Sequence, residues 1–290
     1  MSDEDRDADP TGTSPSTSTP TTRSRTGRPS IRRVPIRTPS TRAPGGTTNA
    51  YVLGDLLVDP AGRHPDLDRV AESVEHVAVT HAHPDHVGAV AEYAAAAEAT
   101  TWAPSAFADR FEEATGAEPD ATFTEGDAIG SADAIAIATP GHAVDHFAFA
   151  VGEGTEHEGA PRGGEAILCG DLALAEGSVV VSREGGGLRA YLESLRRIRD
   201  RGPTVLYPGH GPAIQDPRST LDRLIDRRLD RERSVLEAVE AGASDVDAVL
   251  EGAYDRDLIG VEDLARATVR AHLEKLLKDG RIEGAWRDRL

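Results

Sequence analysis

Short runs of alternating apolar and polar residues, separated by turn residues, occupy the middle of the chain. Apolar segments at 50–54 and 55–59 meet at a Gly-Asp turn and predict two strands. Further strands are predicted at 76–80, 100–103, 132–139, 147–151, 166–169, 179–182 and 204–207. Helical spacing of apolar residues predicts helices at 66–74, 88–97, 105–115 (with Ser105 as N-cap) and 188–199. Strands that alternate with helices predict an α/β sandwich.

The pattern changes at both ends of the chain. Residues 1–30 are rich in Asp, Thr, Ser, Pro and Arg and lack apolar periodicity, which predicts a disordered tail. Residues 31–217 contain the alternating elements and form the predicted α/β domain. Residues 218–290 have few helix breakers and many charges, which predicts a long linker helix followed by a small domain.

Two further helices are expected after the linker helix. Ser244 is the predicted cap of the first, and Val261 and Leu264 begin the apolar face of the second. Gly280 should end the second helix, and residues 281–283 could then start a β-wing. Helices followed by a wing predict a small winged-helix-like domain at the C-terminus.

Composition adds a strong acidic bias. The 290 residues include 50 acidic and 32 basic side chains, and the formal net charge is −18. Only Lys275 and Lys278 are lysines, and the other basic residues are arginines. An acidic, lysine-poor chain is typical of a halophilic protein, because hydrated carboxylates maintain solubility in concentrated salt. The alternative is an ordinary acidic protein from an organism with a GC-rich genome.

Charge, cysteine content and hydropathy narrow the classes of function. At about 1 M salt the Debye length is only ~3 Å, so the net charge does not exclude a nucleic-acid substrate. A single cysteine, Cys169, excludes a disulfide within the chain and is typical of a cytoplasmic protein. No apolar stretch approaches the roughly 18 residues of a membrane span, so no membrane partner is expected.

The densest group of chemically competent residues is His81-x-His83-x-Asp85-His86, directly after the predicted strand 76–80. Alternate residues of an extended loop point to the same side, so His81 and His83 can bind one cation. Asp85 and His86 can then bind a second. Imidazole and carboxylate are expected ligands for zinc, iron or manganese.

Three more potential ligands follow predicted strands. They are His142 in Pro-Gly-His, Asp171 in Cys-Gly-Asp and His210 in Pro-Gly-His-Gly. Each has a glycine directly before it, which lets the backbone pass close to a site. We therefore expect these loops to meet the histidine loop in one cleft.

In this order, the seven residues resemble the pattern of the metallo-β-lactamase superfamily over about residues 31–217. The resemblance implies the αββα sandwich, in which two sheets lie between helices. It also implies two divalent metal ions, with zinc expected and manganese or iron as alternatives. The implied ligands are His81, His83 and His142 for the first ion, Asp85, His86 and His210 for the second, and Asp171 for both.

The same resemblance implies a hydrolase. Two cations about 3.5–4 Å apart lower the pKa of a bridging water, which becomes the nucleophile. Asp85 is a candidate catalytic residue because it could accept a proton from that water. His146 is the other candidate: it would line the cleft and contact substrate or donate a proton, and the alternative is a structural role beside the ligands. Asp59 resembles the aspartate that orients the histidine loop, with a simple turn residue as the alternative.

Four segments are informative within the superfamily: Thr48-Asn49-x-Tyr51 before Gly54, Pro208-Gly209-His210-Gly211-Pro212, the arginine-rich stretch 227–233, and Ala271-His272-Leu273-x-Lys275-Leu276 near Gly280. They resemble segments of the beta-lactamase-like protein 2 group, and this resemblance covers about residues 31–285. That group includes endoribonucleases acting on single-stranded RNA, so RNA is one expected substrate. Arg227, Arg228, Arg231 and Lys275 could then hold phosphates. Their alternative role is helix-surface charge paired with neighbouring carboxylates.

Two other functions remain open. The segments around His142 and Asp171 also resemble hydroxyacylglutathione hydrolase, so a small ester or thioester is the second expected substrate. A ligand-sensing regulator that binds DNA is the non-enzymatic alternative. The last predicted helix mixes Arg266, Arg270 and Lys275 with acidic residues, which suits DNA recognition poorly. A homodimer is compatible with each of these functions.

Overall fold

The computed structural model describes residues 30–38, 43–131, 134–152, 156–157, 164–183, 185–254 and 260–290. The predicted N-terminal tail, apart from Ser30, lies outside these residues. Over the described ranges, no helix combines the length and the apolar character that a bilayer crossing requires.

Twelve strands occur in the described ranges. In chain order they are β1 Ser30–Arg37, β2 Thr47–Leu53, β3 Leu56–Val58, β4 His76–Ala78, β5 Thr100–Pro104, β6 Ala121–Phe123, β7 Ala128–Ile129, β8 Ala134–Ala138, β9 Phe147–Val151, β10 Glu156–His157, β11 Ala166–Gly170 and β12 Val205–Pro208. One sheet has seven strands in the order β10-β1-β2-β3-β4-β5-β6. The other has five strands in the order β12-β11-β9-β8-β7.

Eight α-helices accompany the strands in the same ranges. They are α1 Pro65–Asp68, α2 Pro84–Val87, α3 Val90–Ala97, α4 Ala108–Thr115, α5 Gly187–Arg201, α6 Pro217–Glu240, α7 Val246–Ala253 and α8 Glu262–Lys278. Helices α3 and α4 cover the seven-stranded sheet, while α5 and α6 cover the five-stranded sheet. The order of layers is therefore helix, sheet, sheet, helix.

Strand β9 illustrates how the sequence fills these layers. Successive side chains of a strand point to opposite faces. Phe147, Phe149 and Val151 enter the core between the two sheets, whereas Ala148 and Ala150 face the helices on the outer side. The small alanines let α5 approach the sheet closely, and the large aromatic rings fill the space between the sheets.

Several local predictions need correction. Residues 179–182 form no strand and belong to neither sheet, although a strand was predicted there. The predicted helix 66–74 is divided into α1 and a 3-10 turn at Ala71–Ser73. Ser105 does not cap a helix with its side chain, because a 3-10 turn at Ser105–Phe107 precedes α4. Apolar spacing reports which face is buried, and it does not register such breaks.

The C-terminal helices form a cluster of their own around Val235, Val249, Val269 and Leu273. The carboxylate of Asp245 accepts a hydrogen bond from the backbone N–H of Ala248, so Asp245 caps α7 in place of the predicted Ser244.

The start of α8 also differs from the prediction. Val261 and Leu264 are 42% and 48% exposed, so the buried face of the helix begins only at Ala265.

The β-wing expected at 281–283 is not formed. Within 260–290, the residues after α8 contain no strand, and a 3-10 turn covers Gly284–Arg289. This turn buries Trp286 in the C-terminal helical cluster, 4% exposed. The described C-terminal part is therefore a helical unit and lacks the hairpin that a winged-helix domain requires.

Candidate metal centre

Four loops that follow strands converge at one edge of the two sheets. The histidine loop follows β4 of the seven-stranded sheet, and the other three loops follow β8, β11 and β12 of the five-stranded sheet. The backbone N–H of Phe147 donates to Thr80 O (2.8 Å), and Asn49 Nδ2 donates to Pro208 O (2.9 Å). These bonds join the sheets directly beside the loops, so the loops are held on a rigid frame.

Three imidazole rings lie close together where these loops converge, and they form the first group of candidate ligands. His83 Nδ1 lies 2.9 Å from His81 Nε2 and 3.0 Å from His142 Nε2. The three atoms are mutually close enough to coordinate one cation. The structure thus brings together the three residues implied as ligands of the first ion.

The other ring nitrogens of this group show which tautomer each ring adopts. His142 Nδ1 lies 2.8 Å from the carbonyl oxygen of Val180, which can only accept, so Nδ1 carries the hydrogen. Thr80 Oγ1 donates to Asp59 and therefore accepts from His81 Nδ1 (3.1 Å). Nε2 of both rings is left without a hydrogen, and that is the form that binds a metal.

A second group contains Asp85, His86 and His210, whose ligand atoms are also close enough for one cation. His210 Nδ1 donates to Thr47 O at 2.7 Å, and His210 Nε2 lies 3.8 Å from Asp85 Oδ2. Asp171 lies between the groups. Its carboxylate oxygens are 3.6 Å from His86 Nε2, 3.5 Å from His142 Nε2 and 3.3 Å from His210 Nε2.

The buried acceptor atoms of His86, His210 and Asp171 fit a site that binds a metal ion. His86 Nε2, His210 Nε2 and Asp171 Oδ1 are buried and make no hydrogen bond within the described residues. With Nδ1 of both rings donating elsewhere, Nε2 and the carboxylate oxygens face each other as acceptors. Buried acceptors in contact repel one another unless a cation or a proton lies between them. The set of nitrogen and carboxylate donors fits divalent zinc, iron or manganese.

Without a metal ion, the same geometry attracts protons. Burial alone would lower the pKa of His86, but the carboxylates of Asp59 and Asp171 raise this pKa to about 9. Burial likewise would raise the pKa of Asp171, but His86 and His210 hold it well below its usual range. In contrast, burial and then the neighbouring His142 lower the pKa of His83 to about 4.

Asp59 connects the two groups of candidate ligands through hydrogen bonds to Thr80 and His86. Its Oδ1 accepts from the backbone N–H of Thr80 (2.6 Å), and its Oδ2 accepts from Thr80 Oγ1 (2.8 Å) and His86 Nδ1 (3.0 Å). Through these bonds one carboxylate sets the tautomer of His86 directly and that of His81 through Thr80. Asp59 has φ of 52°, a left-handed conformation that aspartate tolerates better than most residues.

His146 does not line the cleft, which corrects its prediction as a substrate-contacting or proton-donating group. It is fully buried, Nε2 accepts from the backbone N–H of Asp171 (3.0 Å), and Nδ1 bonds Thr139 Oγ1 (2.7 Å). Burial and then His142 lower the pKa of His146 to about 3. Both nitrogens are therefore engaged by a neutral ring, and His146 supports the loop that carries Asp171.

Two glycines before the ligands permit the close approach expected from the sequence. A Cβ atom on Gly209 would lie 2.5 Å from Asp171 Oδ1 and 2.7 Å from His86 Cε1. A Cβ atom on Gly170 would lie 2.7 Å from His146 Nε2, and Gly170 also has φ of 47°. A larger residue at either position would displace the ligands.

Asp145 supports the histidine loop and was missed in the sequence. Its Oδ2 accepts from the backbone N–H of Ala82 (2.8 Å), and its Oδ1 lies 3.1 Å from Arg110 Nε. Asp145 directly precedes His146, so its place in a ligand-bearing loop was the available signal. Val180 was also missed, since a backbone carbonyl leaves no trace in the residue type.

Three of the four basic residues predicted to hold phosphates form hydrogen bonds to other groups of the protein. Arg228 Nη2 donates to Val179 O (2.6 Å), and Arg231 bonds Ala253 O. Lys275 Nζ donates to both Glu232 and Asp279 at 2.8 Å. Only Arg227 of the four has no such internal contact among the described residues.

Comparison with known proteins gives a consistent result. A family model described as the metallo-beta-lactamase superfamily matches residues 43–210. A protein from Caenorhabditis elegans named beta-lactamase-like protein 2 homolog is 30% identical over 81% of this chain and 80% of its own length. An atrochrysone carboxyl ACP thioesterase from Aspergillus fumigatus is 32% identical over 67% of this chain, which spans 60% of that thioesterase.

Solved structures share the fold. A metallo-beta-lactamase family protein from Thermus thermophilus superposes with a TM-score of 0.64 and 24% sequence identity, covering 87% of this chain and 95% of that protein. A beta-lactamase domain protein from Burkholderia ambifaria gives a TM-score of 0.64 at 20% identity, with 86% and 87% covered. The α/β sandwich expected from the sequence is confirmed.

Proposed function

The chain belongs to the metallo-β-lactamase superfamily of hydrolases, and on that premise we propose that it hydrolyses small thioesters at a centre of two divalent cations. The first cation would be held by His81, His83 and His142. The second would be held by Asp85, His86 and His210, with Asp171 contacting both. The acceptor atoms of His86, His210 and Asp171 that face each other without hydrogen bonds support this assignment.

Two cations in these positions supply charge that stabilises a developing oxyanion and makes a nearby water more acidic. The protein positions its own groups around that water. Asp85, on the first turn of α2, is the proposed acceptor of the proton that the attacking water loses. Asp59 keeps Nε2 of His86 and of His81 free of hydrogen, and His146 holds the backbone of Asp171 in place.

The hydrogen bonds that the basic residues form within the protein favour a thioester over RNA as the substrate. A phosphodiester backbone needs exposed cations that contact several phosphates. Arg228, Arg231 and Lys275 are instead bonded to groups of the protein itself. Several relatives carry names that specify a thioesterase, among them the Aspergillus fumigatus protein. A thioester presents one carbonyl to the centre, and its binding does not require several exposed cations.

Single-stranded RNA is the second candidate substrate. It is favoured by the similarity to the beta-lactamase-like protein 2 homolog, which extends over 81% of this chain. The sequence resemblance to that group implies RNA cleavage. A regulator that binds DNA through α8 has no such support, because Arg266 on this helix pairs with Asp247 and Asp263.

The test measures metal content and both activities on one preparation. Zinc- or manganese-loaded protein would be assayed with acyl-pantetheine and acyl-glutathione thioesters and with labelled single-stranded RNA, at low salt and in molar KCl. We expect thioester cleavage that is lost in Asp85→Ala and His210→Ala and retained in Glu118→Gln, a control at an exposed carboxylate. Asp171→Ala should lose metal and activity together.

The outcomes separate the proposals. RNA cleavage that disappears in the same two variants, without thioester cleavage, would replace the thioester by the RNA substrate. Full metal content and activity in Asp171→Ala would refute the assignment of Asp171 between the two cations.

A further inference from the structure

Arg228, in the middle of α6, is a buried arginine with unusual surroundings. The residue is 7% exposed, and no carboxylate forms an ion pair with it within the described ranges. Burying a guanidinium away from carboxylates is unfavourable, and an apolar side chain of similar size often packs as well or better. The contacts that Arg228 does make therefore indicate what the charge contributes.

Arg228 holds a segment that no sheet holds. Its Nη2 donates to Val179 O at 2.6 Å. Residues 179–182 form no strand in either sheet, so this bond anchors a segment that no ladder of strand hydrogen bonds fixes. The bond comes from a helix beyond the predicted α/β domain, 49 positions later in the chain.

The next carbonyl in that segment contacts a candidate metal ligand. Val180 O accepts from His142 Nδ1 at 2.8 Å and leaves His142 Nε2 free of hydrogen. The carbonyls of Val179 and Val180 belong to successive peptide units that meet at the Cα of Val180, so anchoring the first carbonyl limits the movement of the atom from which the second projects. Displacement of this segment would rotate His142 or release its tautomer.

A second contact leads to the same centre. The guanidinium of Arg228 lies over the ring of Tyr191, 5.3 Å from its centroid. Tyr191 OH donates to Leu172 O (2.9 Å), directly after Asp171. The backbone of Tyr191 also abuts Gly141, where a Cβ atom would lie 2.4 Å from Tyr191 Cα. Tyr191 thus lies between the loops of His142 and Asp171.

We propose that Arg228 is a positioning residue through which the C-terminal helices fix the tautomer and orientation of His142 and so set the metal affinity of the first ligand group. This role rests on the metal centre of the proposed function and is independent of the substrate. It explains why the helical unit is joined to the α/β domain through a buried charge.

The experiment compares three substitutions on α6 in the full chain. Arg228→Met removes the donors and keeps the length, and Arg228→Lys restores a charged donor. Arg223→Met is the matched control, since Arg223 donates to the carbonyls of Leu174 (3.3 Å) and Ala175 (3.1 Å) of the neighbouring loop. Metal retention against a chelator of known affinity is measured by mass spectrometry, and the cobalt(II)-loaded proteins are compared by visible absorption.

We expect Arg228→Met to lose about tenfold in affinity for one metal ion and to change the cobalt spectrum, as substitutions behind a ligand do. Arg228→Lys should recover most of the loss, and Arg223→Met should stay within about twofold of wild type. In a His142→Ala background, Arg228→Met should have no further effect on metal retention.

Equal metal retention in Arg228→Met and wild type would overturn the proposal, and so would an equal loss in Arg223→Met or in the His142→Ala background. Far-UV circular dichroism establishes folding of each variant. If Arg228→Met does not fold, Arg228→Gln, with a shorter neutral donor, takes its place under the same criteria. A wild-type protein that retains no metal would instead refute the metal centre itself.

Discussion

Asp59→Asn is the substitution that tests most directly how the protein prepares its histidines. The amide has the shape of the carboxylate, and asparagine tolerates the left-handed φ of 52° that position 59 requires. What changes is one acceptor oxygen that becomes an NH₂ donor. Oδ2 of Asp59 now accepts from Thr80 Oγ1 and His86 Nδ1, and an NH₂ group there cannot accept from either.

The predicted consequence is a change of tautomer at both groups. His86 Nδ1 must accept from the new NH₂, which moves its hydrogen to Nε2, where the second cation would bind. Thr80 Oγ1, accepting in turn, would donate to His81 Nδ1 and move that hydrogen to Nε2 as well. Substitutions behind a metal ligand weaken binding about 10- to 100-fold, equivalent to about 1.4–2.8 kcal/mol.

The assay is competition with a chelator at pH 7.5, together with titration of the histidine resonances in metal-free protein. Removal of the Asp59 charge should lower the pKa of His86 from the value of about 9 that this carboxylate helps to maintain. Asp120→Asn is the matched control. Asp120 accepts the same pair of bonds from Thr101 N (2.9 Å) and Thr101 Oγ1 (2.7 Å), but no histidine in the described part of the chain bonds to it.

Unchanged affinity for both metal ions in Asp59→Asn would refute the reasoning, since it would mean that the ligands choose their tautomers without the carboxylate. An equal loss in Asp120→Asn would show that the effect comes from the stability of the sheet.

Three further predictions concern the surroundings of the centre. Gly209→Ala should lower metal affinity at least about tenfold by pushing on Asp171, whose Oδ1 would be 2.5 Å from the new Cβ, and metal analysis of the folded variant checks this. His146→Gln should reduce kcat/KM and leave the shape of the pH–rate profile unchanged, and loss of one limb would restore His146 as a proton donor. Burial raises the pKa of Glu232, but His272 and Lys275 lower it below 4.5; the stability it contributes, about 1 kcal/mol, is therefore present above pH 4.5 and lost as pH falls through the lowered pKa. Urea unfolding should show Glu232→Gln less stable than wild type at pH 7 and the difference shrinking at pH 3.5; a constant difference would contradict this linkage.

Much of the centre was predictable because its residues follow strands in a fixed order. The four candidate ligands of the histidine loop lie within residues 81–86, directly after β4, so local geometry places them together. His142, Asp171 and His210 come after strands whose ends share an edge of the sheet. The helices α5 and α6 were likewise predicted from spacing, which reports the buried face of a long amphipathic element.

The hydrogen-bond partners behind the ligands depended on contacts between distant parts of the chain. His210 donates to Thr47 O, 163 positions away, and His142 donates to Val180 O, in a segment that the sequence predicted as a strand. Residue types and apolar periodicity describe a neighbourhood along the chain, and a backbone carbonyl can come from any residue. The sequence by itself thus determined the fold class and which side chains are candidate ligands. The tertiary structure alone decided their tautomers, the supporting role of His146, the internal contacts of Arg228 and Lys275, and the helical form of the C-terminus, because each depends on which distant group lies within hydrogen-bonding or packing distance.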